Sequence, residues 1–303
     1  EPSDSVPRRR GTLSLGSMDD EAQQESASVR EASFPFLPAL RAAVRWLAGL
    51  DESASADLAH GTLFFPALGL LFGLLVAAIE RGAGAFLPAV LVAPLVVGAL
   101  ALLQGGGGPR AVLLGIAALV SGDAGKTPDE GPVDGGLVAE AGLSDVDADA
   151  DARGVPGAGA LAAGSLATAL LLVAKALAVA ALAGRALGIA VVLAALLGRW
   201  ALVVQAYGSI PRPGDGFAAT LCRGCTFREF GNASVSAMAM TLALANAVGL
   251  GLLFAVAAQT IGLRILAHRR GGASRVSIEA GGELAETTVL VLCSLLARAL
   301  AAG

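Results

Sequence analysis

Long apolar runs separated by polar segments dominate the pattern of this chain. The first clear run covers residues 61–79 and contains no charged side chain. Its length is enough to cross the roughly 30 Å hydrocarbon core of a bilayer. A second run follows after a short link and ends at about residue 104, so these two runs predict a hairpin of membrane-spanning helices.

The later runs complete a predicted bundle, and they cover residues 158–183, 186–207, 233–263 and 284–302. The run 233–263 is free of charge but too long for one span. Asn246, Gly249 and Gly251 near its middle therefore predict a tight hairpin of two short helices. The whole pattern predicts an all-α, polytopic membrane helix bundle of about seven transmembrane helices.

The polar segments divide the chain further. Residues 1–33 lack periodic hydrophobicity and are predicted to be a disordered tail before a membrane domain at 34–303. The segment 34–50 predicts a helix after Pro38, carrying Arg41 and Arg45, that is too short to span and lies at the membrane interface. Long loops are predicted at 105–154, 208–232 and 264–283.

Composition supports the membrane class, because 55% of the 303 residues are hydrophobic, 15% are charged, and the mean hydropathy is +0.71. The bilayer is thus an expected partner, and nothing in the net charge of −4 suggests nucleic acid. With a cytoplasmic N-terminus, 16 of the 21 Lys and Arg residues precede span one or lie in the three long loops. The positive-inside rule therefore places these segments in the cytoplasm.

A few ionisable residues are candidates for chemistry. Lys175 and Arg199 lie inside apolar spans, and Glu283 and Glu286 stand where the last span begins. Charge in a span is costly, so function is the default hypothesis, although Lys175 can also snorkel and Arg199 can sit near a helix end. The run Asp145, Asp147, Asp149 and Asp151 predicts either a site for a divalent cation or a solvated acidic loop.

A pair of cysteines, Cys222 and Cys225, forms a CxxC pattern in the second loop. Such a pair can be half of a zinc site or a redox pair. The chain offers no second CxxC, and its two histidines, His60 and His268, are remote in sequence. We therefore interpret the pair as part of an ordinary loop.

Several motifs, taken in order, resemble the cobalamin synthase family of membrane-embedded adenosylcobinamide-GDP ribazoletransferases. They comprise FFPALGLLFGLL at 64–75, Asp151-Ala152-Arg153 before Gly154, GRWA at 198–201, YGSIPRPGDGF at 207–217 and GGASRVSIEAGGELAE at 271–286. In the last element Gly271, Gly272, Ala280, Glu283, Leu284 and Glu286 match the family pattern. The resemblance covers about residues 40–303.

The resemblance also has departures. The family's histidine and aspartates after the glycines at 105–106 are absent, and Ser274-Arg275-Val276 stands where the family has Thr-Gly-Asp. These aspartates are the expected ligands of the family's metal. The acidic run that ends at Asp151 is a candidate replacement for them.

The resemblance implies a reaction in which α-ribazole, or its phosphate, attacks adenosylcobinamide-GDP and releases GMP. It implies that Asp151, Glu283 and Glu286 are catalytic and hold Mg²⁺, and that Arg153, Lys175, Arg199 and Arg212 bind substrate phosphates. It further implies a multi-pass protein of a bacterial-type cytoplasmic membrane with its site facing the cytoplasm. A homo-oligomer, a catalytically degenerate homologue with a binding role and a small membrane transporter are left open as alternatives.

Overall fold

The computed structural model describes residues 36–48, 50, 55–103, 112–114, 158–182 and 184–302. The predicted tail at 1–33 and most of the loop 105–154, with Asp151 and Arg153, lie outside the described residues. The chain divides into two units, residues 1–36 and 37–303. Apart from Phe36, the described residues belong to the second unit.

The secondary structure of the described residues is helical. Helices are α1 Phe36–Leu47, α2 Ala56–Gly61, α3 Phe65–Gly84, α4 Ala89–Leu103, α5 Ala158–Ala181, α6 Gly184–Ala206, α7 Gly216–Gly224, α8 Phe227–Arg269 and α9 Arg275–Ala302. A 3₁₀ turn, Thr62–Phe64, joins α2 to α3. Within the described part of the chain there is no β-strand, only an isolated bridge between Pro211 and Ala273.

Five helical segments are long and apolar enough to cross a membrane: Ala56–Gly84, Leu161–Ala181, Ala186–Ala206, Phe227–Arg269 and Arg275–Ala301. A shorter apolar helix covers Leu91–Leu103. The prediction of an all-α membrane helix bundle is confirmed. The number of crossings, the kind of membrane and the orientation stay predictions.

Helix α8 folds back on itself at Asn246, the only non-glycine residue with positive φ among those described (φ 49°). Two contacts demonstrate the reversal. The ring of Tyr207 stacks on that of Phe230 with centroids 4.3 Å apart. The backbone carbonyl of Tyr207 accepts a hydrogen bond from Arg264 Nη1 at 2.8 Å. In a straight helix Phe230 and Arg264 would be roughly 50 Å apart. The predicted break at Asn246 is therefore confirmed.

Helix α6 lies at the centre of the bundle, because 89% of its apolar stretch is buried, against 28–39% for the other four long segments. Small residues let α3 approach it closely. A Cβ on Gly69 would lie 2.6 Å from Ala195 O, and one on Gly73 would lie 2.7 Å from Val192 Cα. Close backbone approach through glycine is a common way for membrane helices to pack.

The polar segments on either side of α7 and α8 are shorter than predicted. The segment 264–283 is helical except for residues 270–274, and 208–232 contains α7 and the start of α8. Gly281 and Gly282 lie within α9, and Gly282 packs on Leu202 of α6, with a Cβ position only 2.9 Å from Leu202 Cδ2. Tertiary packing thus overrides the low helix propensity of glycine.

The start of α9 is fixed by hydrogen bonds to the loop after α6. Arg212 N donates to Ala273 O and Ala273 N donates to Ile210 O, each at 2.8 Å. The carboxylate of Asp215 accepts from Ala218 N and from Arg275 N, also at 2.8 Å, so it caps α7 and α9 together. This connection sets the position of α9 against the end of α6.

Helix α1 packs on the same end of the bundle. The ring of Trp46 stacks on Phe65 with centroids 5.4 Å apart and on Phe217 with centroids 5.7 Å apart. Phe217 belongs to α7, next to Asp215. The end that contains α1, α7, both ends of α8 and the start of α9 is called the basic end below, because of its arginines.

Candidate functional site

Four charged side chains from three helices meet inside the bundle. Lys175 of α5 donates through Nζ to Glu283 Oε2 and, at 3.2 Å, to Glu286 Oε2. Arg199 of α6 donates through Nη1 to Glu286 Oε1 at 3.2 Å. We call Lys175, Arg199, Glu283 and Glu286 the buried quartet.

The sequence of α9 explains how it supplies both carboxylates. Residues three apart lie on one face of a helix, so Glu283 and Glu286 point in the same direction. Glu286 lies about 16 Å along the helix axis from Arg275 at 1.5 Å per residue. The carboxylates therefore lie well inside the helix, whereas the sequence had placed them at the start of the last span.

Gly198 of α6 makes room for the quartet. A Cβ at this position would overlap the Glu286 side chain, with Glu286 Oε1 at 3.0 Å and Cδ at 3.1 Å. Gly282 of α9 faces the same helix, and its Cβ position lies 3.2 Å from Gly198 O. The two glycines thus let α6 and α9 approach until Arg199 and Glu286 can bond.

Burial makes pairing within the quartet necessary. The exposed fractions are 3% for Lys175, 6% for Arg199, 3% for Glu283 and 0% for Glu286. Desolvating an ion costs several kcal/mol, and an opposite charge in good geometry offsets much of this cost. Two cations and two carboxylates give a formal charge of zero, so the quartet is electrically balanced.

Two atoms of the quartet have unused hydrogen-bonding capacity. Arg199 Nε and Glu283 Oε1 are buried and have no hydrogen-bond partner among the described residues. Buried polar atoms are usually satisfied, so an unpaired donor and an unpaired acceptor in one cluster require an explanation. A polar ligand that enters the quartet would find both a donor and an acceptor.

The structure brings together four of the seven predicted site residues. Arg212 lies instead in the loop after α6, where its backbone holds the Pro211–Ala273 bridge. Asp151 and Arg153 fall outside the described ranges. In the structure the cations and carboxylates of the quartet bind each other. Their predicted roles in binding phosphate and metal stay predictions.

Magnesium does not fit the two carboxylates in this arrangement. Mg²⁺ takes oxygen ligands in octahedral geometry and usually keeps several waters. Lys175 Nζ already bridges Glu283 and Glu286, and Arg199 binds the second oxygen of Glu286. Among the described residues no group of three or more His, Cys, Asp or Glu side chains is placed to hold a metal. The magnesium site with Asp151 stays a prediction.

Sequence reasoning missed two buried polar features of the bundle. Gln205 of α6 is 5% exposed, leaves Nε2 without a partner in the described structure, and packs against Gly281. His60 Nδ1 lies 3.1 Å from Glu229 Oε1, and Glu229 closes a capping box with Thr226. A polar residue in an apolar run and the Thr-x-x-Glu spacing were the signals that could have found them.

The thiols of Cys222 and Cys225 are buried and free, at the end of α7. Burial, with the nearby charge of Asp215, raises the pKa of Cys222 to about 11. Burial raises the pKa of Cys225 to about 12, against a hydrogen bond from Thr62 that lowers it. Both thiols are therefore protonated near neutral pH, so neither is an activated thiolate nucleophile.

The quartet joins residues from separate motifs of the sequence. Arg199 belongs to GRWA, Glu283 and Glu286 belong to the last glycine-rich element, and Lys175 comes from the span that follows Asp151. The cobalamin synthase assignment stays a prediction. No protein-family model, curated protein or solved structure matches this chain.

Proposed function

We propose that this chain is a membrane-embedded transferase of the adenosylcobinamide-GDP ribazoletransferase type, with the buried quartet at its centre. One observation carries the proposal: Lys175, Arg199, Glu283 and Glu286, selected from separate motifs, contact one another through hydrogen bonds. A buried cluster of ionisable groups in a membrane bundle is by default a functional site.

Substrate binding in this proposal is an exchange of anions. A phosphate of the nucleotide replaces a carboxylate on Arg199 and Lys175, which keeps the cations paired. The unused Nε of Arg199 supports this step, because Nε and an Nη together form the fork that binds phosphate through two hydrogen bonds. Lys175 contributes a single positive charge beside it.

The transfer then follows from the freed carboxylates. The α-ribazole hydroxyl oxygen attacks the β-phosphorus, its proton passes to Glu283, and a new P–O bond forms. The P–O bond to GMP breaks and GMP leaves with the electron pair. Glu283 suits the role of proton acceptor because its Oε1 is unpaired within the described structure. The cations stabilise charge on the phosphoryl oxygens.

GMP release tests the proposal directly. The purified protein in lipid nanodiscs receives α-ribazole and adenosylcobinamide-GDP, with and without Mg²⁺, and GMP is measured by chromatography. We expect GMP from the wild type and a loss of about 100- to 1,000-fold in Arg199→Gln, since that variant loses a charged donor to the transition state.

A matched control is Arg298→Gln, which changes an exposed arginine near the end of α9 and is expected to keep wild-type activity. Absence of GMP from the wild type under both conditions would overturn the transferase proposal.

One observation favours a second candidate, a homologue that binds a corrinoid or nucleotide without turnover. The quartet is electrically balanced by its own residues, as a structural ion-pair cluster would be. This candidate predicts corrinoid binding in the nanodiscs with no GMP above background. The transferase proposal predicts corrinoid binding together with GMP release.

A further inference from the structure

A groove lies between α1 and the start of α2, at the basic end of the bundle. Its volume is about 530 Å³, and its polar lining consists of Arg41, Arg45, Ser55 and Asp57. Leu37, Pro38 and Ala42 supply the apolar part. The groove is remote in sequence from the quartet and shares no residue with it.

The two faces of α1 differ in a way that suits a membrane interface. Ala39, Ala43, Trp46 and Leu47 are buried against the bundle. The opposite face exposes Arg41 and Arg45 together with Leu37 and Val44, which are 73% and 37% exposed. Arginines beside exposed apolar side chains are typical of helices that lie among lipid headgroups.

The surroundings of the groove are also positive. The segments at this end carry Arg212, Arg223, Arg228, Arg264, Arg269, Arg270 and Arg275. The acids of these described segments are fewer, namely Asp57, Asp215, Glu229 and Glu279. Among the described residues, the basic end therefore carries a net positive formal charge.

We propose that this groove binds the headgroup of an anionic phospholipid such as phosphatidylglycerol. The phosphodiester accepts hydrogen bonds from Arg41 and Arg45, which is the chemistry that guanidinium groups favour. Hydroxyls of the headgroup donate to the Asp57 carboxylate. Among the described lining residues, Arg41, Arg45 and Asp57 carry a formal charge of +1. Leu37 and Val44 meet the start of the acyl chains. This site is independent of the proposed transferase.

Lipid titration of the full-length protein, followed by native mass spectrometry in detergent, tests the site. The wild type is expected to retain phosphatidylglycerol in preference to phosphatidylcholine. The double variant Arg41→Gln, Arg45→Gln is expected to bind phosphatidylglycerol roughly 25-fold more weakly, about fivefold per arginine near the headgroups.

Two controls separate the groove from general surface charge. Arg269→Gln with Arg270→Gln removes two exposed arginines from the same end outside the groove, and its affinity is expected to stay near that of the wild type. Arg41→Lys with Arg45→Lys keeps the charge and is expected to stay within about fivefold of the wild type. Thermal unfolding of each variant establishes that it is folded.

Several outcomes would overturn the proposal. These are equal retention of the two lipids by the wild type, unchanged affinity in the Arg41 and Arg45 glutamine variant, or an equal loss in the Arg269 and Arg270 variant. Displacement of phosphatidylglycerol by an equal concentration of inorganic phosphate would show a site for free phosphate instead. If the glutamine variant does not fold, the comparison of lipids on the wild type still decides.

Discussion

Replacing Lys175 with methionine is expected to lower the free energy of unfolding by about 3–5 kcal/mol, the largest single effect that the structure predicts. The change removes one of two cations and leaves two buried carboxylates, Glu283 and Glu286, with Arg199 alone. Chemical or SDS unfolding of the protein in mixed micelles, followed by circular dichroism, measures the change.

Two further variants make the Lys175 result specific. Lys175→Met combined with Glu283→Gln removes one charge of each sign and is expected to recover a large part of the loss. Leu177→Met changes an exposed residue on the same helix and is expected to change stability by less than about 0.5 kcal/mol. A loss below about 1 kcal/mol in Lys175→Met would mean that the lysine is not buried between the carboxylates.

Gly198→Ala is expected to destabilise the protein by about 1–3 kcal/mol, because the new Cβ would overlap the side chain of Glu286 and separate α6 from α9. The same change should weaken any activity that depends on the contact of Arg199 with Glu286. Unfolding under the same conditions, together with GMP release, measures both effects.

The matched control is Gly188→Ala on the same helix. A Cβ there meets only Ala77 Cβ at 3.9 Å, an ordinary contact, so the gain in helix propensity is expected to leave stability unchanged or slightly higher. Equal stability of the two alanine variants would mean that Gly198 does not make room for Glu286.

Long apolar runs were enough to predict the long helices of this fold, but not α7 or the first turns of α8 and α9. The run that became α8 is longer than a single crossing of the bilayer needs, and the polar and small residues around Asn246 located its reversal. Because a charge inside a membrane span is costly, Lys175 and Arg199 were identified from the sequence as candidate functional residues. Local rules of this kind depend on neighbours in sequence, which are visible without a structure.

The arrangement of the helices could not be predicted in the same way. The segments Ala56–Gly84 and Ala186–Ala206 have the same hydropathy, 2.3, yet their buried fractions are 39% and 89%. Lipid tails and protein side chains are similarly apolar, so hydropathy does not distinguish a helix that faces lipid from one inside the bundle. That α6 is central follows only from packing.

The pairing inside the quartet was hidden for a related reason. Sequence motifs indicated that one site contains Lys175, Arg199, Glu283 and Glu286. From the sequence, however, each carboxylate could equally have bound a metal ion or a basic side chain. The choice depends on the position of α9 against α6, which is fixed by Gly198, Gly282 and the bond from Arg275 N to Asp215. Contacts between residues so distant in sequence leave no local pattern.

A double-mutant cycle on Arg199→Gln and Glu286→Gln tests the central claim most directly, namely that these two side chains are bonded inside the bundle. The free energy of unfolding is measured for the wild type, both single variants and the double variant. Direct pairing predicts a coupling energy of about 1–3 kcal/mol. The double variant should then lose less unfolding free energy than the two single variants lose together. Single effects that add to within about 0.5 kcal/mol would contradict the pairing.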